Sequence, residues 1–130
     1  MRRATLDKPP LFHLAAKDGA RLTLASDTGA LAYVFPSLSE GFGLPGLEAM
    51  HRGVPVISSD ASCLPEIYAD AAAYFDPRDV GDMARVIGGV IDSAAERSRL
   101  KDAGTRRVAG FSWRRMAEQT LAVYEAALTA

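Results

Sequence analysis

Apolar positions fall in short continuous runs in the first half of the chain and at helical spacing in the second. Strands are therefore expected early and long helices late. Leu31 to Phe35 is apolar throughout, as strands covered on both faces of a parallel sheet tend to be, and Pro36 and Ser37 close it. A glycine-bearing loop follows, then a short helix from Leu47 to Arg52 that Gly53 can end. Val54 to Ile57 reads as the next strand, with Pro55 fitting only its first positions. Ser58 to Ala61 reads as a polar loop, and Ser62 as the cap of a short helix containing Pro65 and Glu66. Ala71 to Phe75 is a further buried strand, closed by Asp76 and Pro77.

The remainder reads as helix. Asp79 is a plausible N-cap, and Val80, Met83, Ile87, Val90, Ile91 and Ala94 recur on one face. Gly88 and Gly89 lower helix propensity and are expected to permit close packing. A more polar helix runs from about Ala95 to Ala109, with Leu100, Ala103 and Val108 as its buried side. Trp113, Met116, Ala117, Leu121, Tyr124 and Leu128 mark the apolar face of a last helix, and Tyr68, Trp113 and Met116 read first as packing residues. Before Leu31 the pattern is weaker. Leu11 to Ala16 suits a short helix ending near Gly19, and Arg21 to Ala25 a short strand before a turn at Asp27-Thr28-Gly29. Alternating strands and helices argue for an α/β sandwich with a largely parallel sheet. Its ligands would sit beyond the carboxyl ends of the strands.

Composition narrows the chemistry. The chain has 130 residues, enough for one domain with a modest core, and a formal net charge of −1 without a long basic stripe. Nucleic-acid binding by phosphate neutralisation is therefore disfavoured. The arginines from Arg97 to Arg107 and at Arg114-Arg115 lie near acidic residues and read as solvated helix faces. Cys63 is the single cysteine, which excludes an intrachain disulfide and agrees with a reducing, cytoplasmic setting. No apolar stretch is long enough to predict a membrane span. His13, His51, Asp60 and Asp70 do not complete a metal site, and no metal is expected.

The most specific segment is Glu40-Gly41-Phe42-Gly43-Leu44-Pro45-Gly46-Leu47-Glu48. A loop turning into a helix start lets backbone N–H groups converge on an anion. A carboxylate on each side suits a ligand with both phosphates and hydroxyls, such as a sugar nucleotide.

From about Ala30 onward the chain resembles the retaining glycosyltransferases that include glycogen synthases and bacterial mannosyl- and glucosyltransferases (glycosyltransferase family 4 and its relatives). The matching pieces are Val34-Phe35-Pro36-Ser37, the segment from Glu40 to Pro45 with Leu47-Glu48-Ala49-Met50, and Gly53 to Ile57. Leu64-Pro65-Glu66, Phe75-Asp76-Pro77 and Phe111-Ser112-Trp113 with Tyr124 complete them. The resemblance implies a Rossmann-like three-layer sandwich with a mostly parallel sheet, an incomplete C-terminal half of a GT-B fold. Residues 21–130 would form this partial donor-binding domain and residues 1–20 a poorly determined N-terminal segment.

By resemblance, Glu40 lies beside the donor sugar as the catalytic carboxylate, stabilising positive character at the anomeric carbon. Glu48 accepts hydrogen bonds from the donor ribose. Phe42, Gly43 and Leu44 offer backbone N–H groups to the sugar and pyrophosphate, Ser58 and Ser59 are further donor-binding candidates, and Glu66 has a supporting role. No cofactor is implied beyond the substrate, a UDP-, GDP- or ADP-linked sugar. The Arg and Lys that clamp the pyrophosphate in the family have no counterpart in matching context, nor does the facing acceptor domain. The isolated chain is therefore expected to transfer little or no sugar, and otherwise to be a remnant or interaction module. Loss of the early strands would leave the strand at Val34 with an open flank. The Arg21 strand could fill it, or a second copy in a homodimer, or a companion glycosyltransferase polypeptide.

Overall fold

The computed structural model describes the backbone of residues 12–15 and 21–24 and all of residues 30–129. Strands β1 (Phe12–Ala15) and β2 (Arg21–Leu24) pair antiparallel, with Phe12 opposite Leu24 and Ala15 opposite Arg21. The short helix expected over Leu11 to Ala16 is thus a strand where it is described. A helix of six residues is marginal alone, whereas these residues find a partner strand. β2 pairs with β1 and not with the parallel sheet, so the Arg21 strand does not fill the flank beside Val34.

The parallel sheet has three strands in the order β3 (Tyr33–Phe35), β4 (Val56–Ser59), β5 (Ala72–Phe75). Tyr33 lies opposite Val56, and Val56 opposite Ala72. Helix α1 (Leu44–His51) links the first two strands and α2 (Leu64–Tyr68) the second pair, the latter followed by a 3₁₀ turn at Ala69–Ala71. Helices α3 (Val80–Asp92), α4 (Ala94–Val108) and α5 (Trp113–Thr129) complete the described chain. Strand alternation sorts the core into two layers. Tyr33, Val56 and Ala72 pack with Leu47 and Met50 of α1 and Leu64, Ile67 and Tyr68 of α2. Ile57 and Phe75 face the other way, against Val90 of α3 and Leu100 of α4. The three-layer reading is met on a small sheet with helices on both faces.

The boundaries moved for local reasons. α1 begins at Leu44, three residues earlier than expected, because Pro45 in its first turn has a helical φ and lacks an N–H that would have no partner there. Gly53, at φ 70°, ends it as expected. β3 starts only at Tyr33, and Leu31 is exposed. β4 extends through Ser58 and Ser59, so the expected polar loop begins at Asp60 instead. Ser62 does not cap α2. Cys63 precedes that helix, without a side-chain cap, and the Ser62 hydroxyl is used elsewhere.

On α3, Val80 and Ile91 are exposed, while Met83, Val86, Ile87 and Val90 face the core. A Cβ at Gly88 or Gly89 would meet nothing within 4 Å, so neither marks a close approach. That role belongs to Gly104 on α4, where a Cβ would come within 3.1 Å of Met50 Cγ and push α4 from α1. The arginines of α4 also depart from a purely solvated face. Arg97 donates to the Val90 carbonyl at 3.0 Å, Arg99 to Asp70 at 3.2 Å, and Arg107 to Ile67 and Glu66, both at 2.7 Å. They occupy carbonyls where α2 and α3 end, groups that a helix leaves without partners. The largest difference is α5, which has no buried residue. Trp113 is 71% and Leu128 87% exposed, so its apolar face does not pack as expected.

Asp79 caps α3 as its sequence position predicts, its Oδ1 accepting from Gly81 at 2.8 Å and Asp82 at 3.0 Å. Asp79→Ala should lower stability by about 1 kcal/mol in a denaturant titration, the usual cost of a lost N-cap. An unchanged midpoint would mean the cap contributes nothing.

Candidate functional site

The segment from Ser37 to Gly46 connects the carboxyl end of β3 to α1, and its backbone is held at two places. At the first, Ser59 at the end of β4 donates its hydroxyl to the Ser37 carbonyl. The Ser62 hydroxyl donates to the Glu40 carbonyl at 2.9 Å and accepts from the Glu40 N–H at 3.4 Å, and the Cys63 thiol reaches the same carbonyl at 3.2 Å. Ser62 adopts φ 59° to do so. This left-handed conformation is uncommon outside glycine and is held here by its contacts. The loops that follow β3 and β4 are therefore bonded to each other.

The second fixed point is Gly43, at φ 83° and ψ 39°, immediately before α1. Glycine is required twice over. Its φ disfavours a side chain, and a Cβ would lie 2.5 Å from Tyr68 Oη and 2.6 Å from Leu64 Cδ2. The Tyr68 hydroxyl donates to the Gly43 carbonyl at 2.5 Å, and the Gly46 N–H reaches that carbonyl at 3.2 Å. The N–H groups of Phe42, Gly43 and Leu44 donate to no other described residue. They stand at the positive end of α1, where the helix dipole also favours an anion.

Glu40 is half-buried, and its Oε1 accepts from the Ser37 hydroxyl at 2.8 Å. Glu48 is exposed on α1. Both carboxylates bear on Tyr33. Burial first, then Glu40, then Glu48, push its phenol up to about 12, so its proton is retained. Phe42 packs edge-on to Phe111, ring centres 5.8 Å apart, and Arg107 lies over the Phe111 ring at 5.2 Å. The loop is thereby tied to the link between α4 and α5.

An open hollow of about 760 Å³ lies beside this loop. Phe42, Leu44 and Glu48 line one side, with His51 and Arg52; Trp113, Arg115 and Met116 of α5 line the other. Glu40 is not among its lining residues. The hollow therefore gathers part of the expected set, and Trp113 and Met116 belong to its wall instead of the core. Ser58 and Ser59 are 0% exposed, and Ser58 donates its hydroxyl to the Ser59 carbonyl at 3.0 Å. Glu66 is exposed, and its carbonyl anchors Arg107. Nothing in the sequence marks Ser62, Cys63 and Tyr68 as supports of the loop. Their bonds join residues more than twenty positions apart, and no local pattern announces them. Among the described residues no group of three or more His, Cys, Asp or Glu could hold a metal, and no helix is long and apolar enough to cross a membrane.

A short parallel sheet flanked by helices, with its loops at the carboxyl edge, is part of a GT-B-like α/β fold. Sucrose-phosphate synthase from Thermosynechococcus elongatus superposes with a TM-score of 0.70 at 30% identity, over 77% of this chain and 26% of that one. The family described as Glycosyl transferases group 1 matches residues 17–107. The MMP alpha-(1->4)-mannosyltransferase of Mycolicibacterium hassiacum is 46% identical over 97 residues, 72% of this chain and 24% of that protein. The O-antigen chain mannosyltransferase B of Escherichia coli is 38% identical over 96 residues, 74% of this chain and 25% of that protein. The chain belongs to the group 1 glycosyl transferases, related to the glycogen-synthase-like enzymes, and spans about a quarter of the length of these relatives.

Gly43→Ala should destabilise the protein by about 2 kcal/mol or more, combining left-handed strain with overpacking against Tyr68 and Leu64. Thermal and denaturant unfolding measure it. A loss below about 0.5 kcal/mol would show that the turn relaxes freely.

Proposed function

We propose that this chain is the donor-binding part of a retaining glycosyltransferase, holding a nucleotide sugar for hexosyl transfer once a facing acceptor domain completes the site. The observation that carries the reading is the left-handed turn at Gly43. It leaves the N–H groups of Phe42, Gly43 and Leu44 without described partners between Glu40 and Glu48. Departure of a nucleoside diphosphate builds negative charge on the phosphates, and N–H groups already in place stabilise it without reorganisation. Glu40, oriented by Ser37, serves as the carboxylate beside the anomeric carbon, stabilising positive character there without a covalent bond. Glu48, on the exposed face of α1, accepts from the ribose hydroxyls. Ser58 and Ser59 enter through the strand end they build. Two relatives are named as mannosyltransferases, so mannose-bearing nucleotide sugars are the first donors to test.

Transfer itself requires groups that position the acceptor and exclude water. A facing acceptor domain supplies them, and a companion polypeptide is one source of it. β3 pairs on one side only among the described residues, and a second copy covering its outer edge is the alternative partner. The second functional reading is a non-catalytic interaction module.

Calorimetric titration with UDP-, GDP- and ADP-sugars decides between the two. Specific binding to one base is expected, weakened about tenfold or more by Glu48→Ala, the size of a lost hydrogen bond to a charged group. Failure to bind any of them would leave the interaction-module reading. Transfer assays on the isolated chain should show no ordinary turnover, and sustained turnover would remove the need for a facing domain.

A further inference from the structure

Tyr68 is 0% exposed, and its hydroxyl lies beneath the first turn of α1. A Cβ placed on Gly46 would fall 2.4 Å from both its Oη and its Cζ. The ring alone fills this space, so phenylalanine would pack equally well. The hydroxyl is a buried polar atom whose cost is offset by its bond to the Gly43 carbonyl. That carbonyl belongs to the peptide whose N–H is that of Leu44. In a planar trans peptide the two point in opposite directions. With the carbonyl drawn inward to Tyr68, the Leu44 N–H points outward, toward the open end of the helix.

Glycine removes the barrier to losing this orientation on its own side of the peptide. Rotating the Gly43–Leu44 peptide over would carry Gly43 into the extended region of positive φ, which is open essentially to glycine alone, and would also swing Leu44 to a positive φ that its side chain disfavours. The rotated peptide would present a carbonyl to an incoming anion. Besides the Tyr68 hydroxyl, the 3.2 Å bond from the Gly46 N–H and the φ preference of Leu44 hold the carbonyl inward.

We infer that the Tyr68 hydroxyl is a positioning group for the donor site: it latches the Gly43–Leu44 peptide so that the Leu44 N–H faces a diphosphate oxygen. This deepens the donor-binding reading and rests on it. Burial, then Tyr33, Glu40 and Cys63, raise the Tyr68 phenol well above its ordinary value, against an opposing contribution from the Gly46 N–H. The proton needed to hold the carbonyl is therefore present at any physiological pH.

Tyr68→Phe tests the latch because it keeps the ring. Amide spectra of the variant should show the Gly43 and Leu44 N–H signals displaced and their hydrogen exchange accelerated, with the signals of β4 and β5 unmoved. UDP and GDP, titrated separately, should bind the variant about threefold to tenfold more weakly, the scale of one neutral hydrogen bond. Gly43 and Leu44 signals matching the unaltered protein would overturn the inference. So would displaced signals with undiminished affinity. If the unaltered protein binds neither nucleotide, the donor-binding reading fails on its own account. The latch then loses its ligand, although displaced signals would still mark the bond.

Discussion

The geometry around the candidate site depends on one short contact, the tyrosine hydroxyl under the left-handed glycine at the start of α1. Gly43 can take the turn because it lacks a Cβ, and Tyr68 can reach it for the same reason. Each residue makes room for the other. α2 is consequently more than a connector between β4 and β5. Through Tyr68, and through Ser62 and Cys63 just before it, it meets the backbone of the preceding loop at Glu40 and Gly43, and so relates the spacing of the two glutamates to the body of the sheet.

Much of this architecture is legible in the chain itself. The apolar run before Pro36, the sequence Val54 to Ile57 and the run before Asp76 each produce a parallel strand, because alternate residues are buried on both faces. Asp79 and Gly53 act at the helix ends where their chemistry suits them. The segment from Glu40 to Glu48, in order and spacing with the other matching pieces, is specific enough to carry family membership. What could not be read depends on partners distant in sequence. Nothing local distinguishes Ser62 as a cap from Ser62 as a loop support, and only the proximity of Glu40 decides it. Leu11 to Ala16 reads as a short helix, whereas pairing with β2 makes Phe12–Ala15 a strand. The apolar stripe of α5 is a true helical pattern, yet periodicity reports a face without saying what covers it.

The same limit applies to the site. The two carboxylates differ in surroundings, Glu40 half-buried and held by Ser37, Glu48 exposed beside the hollow. Such a difference suits one group fixed near a reacting centre and another reaching ligand hydroxyls. Spacing in the sequence supplies the pair but not the asymmetry, which arises because one residue sits in a clamped loop and the other on a helix.

The bare helix at the end of the described chain has a consequence for cooperativity. α5 buries no residue, so its order draws on its own backbone ladder and on pairs such as Arg114 with Glu118, 2.8 Å apart at the surface. Pairs of that kind contribute only a few tenths of a kcal/mol each. None of the α5 side chains is buried against the sheet, so its coupling to the sheet is weak. Seventeen residues of regular structure can then come and go while the folding transition of the core scarcely registers them.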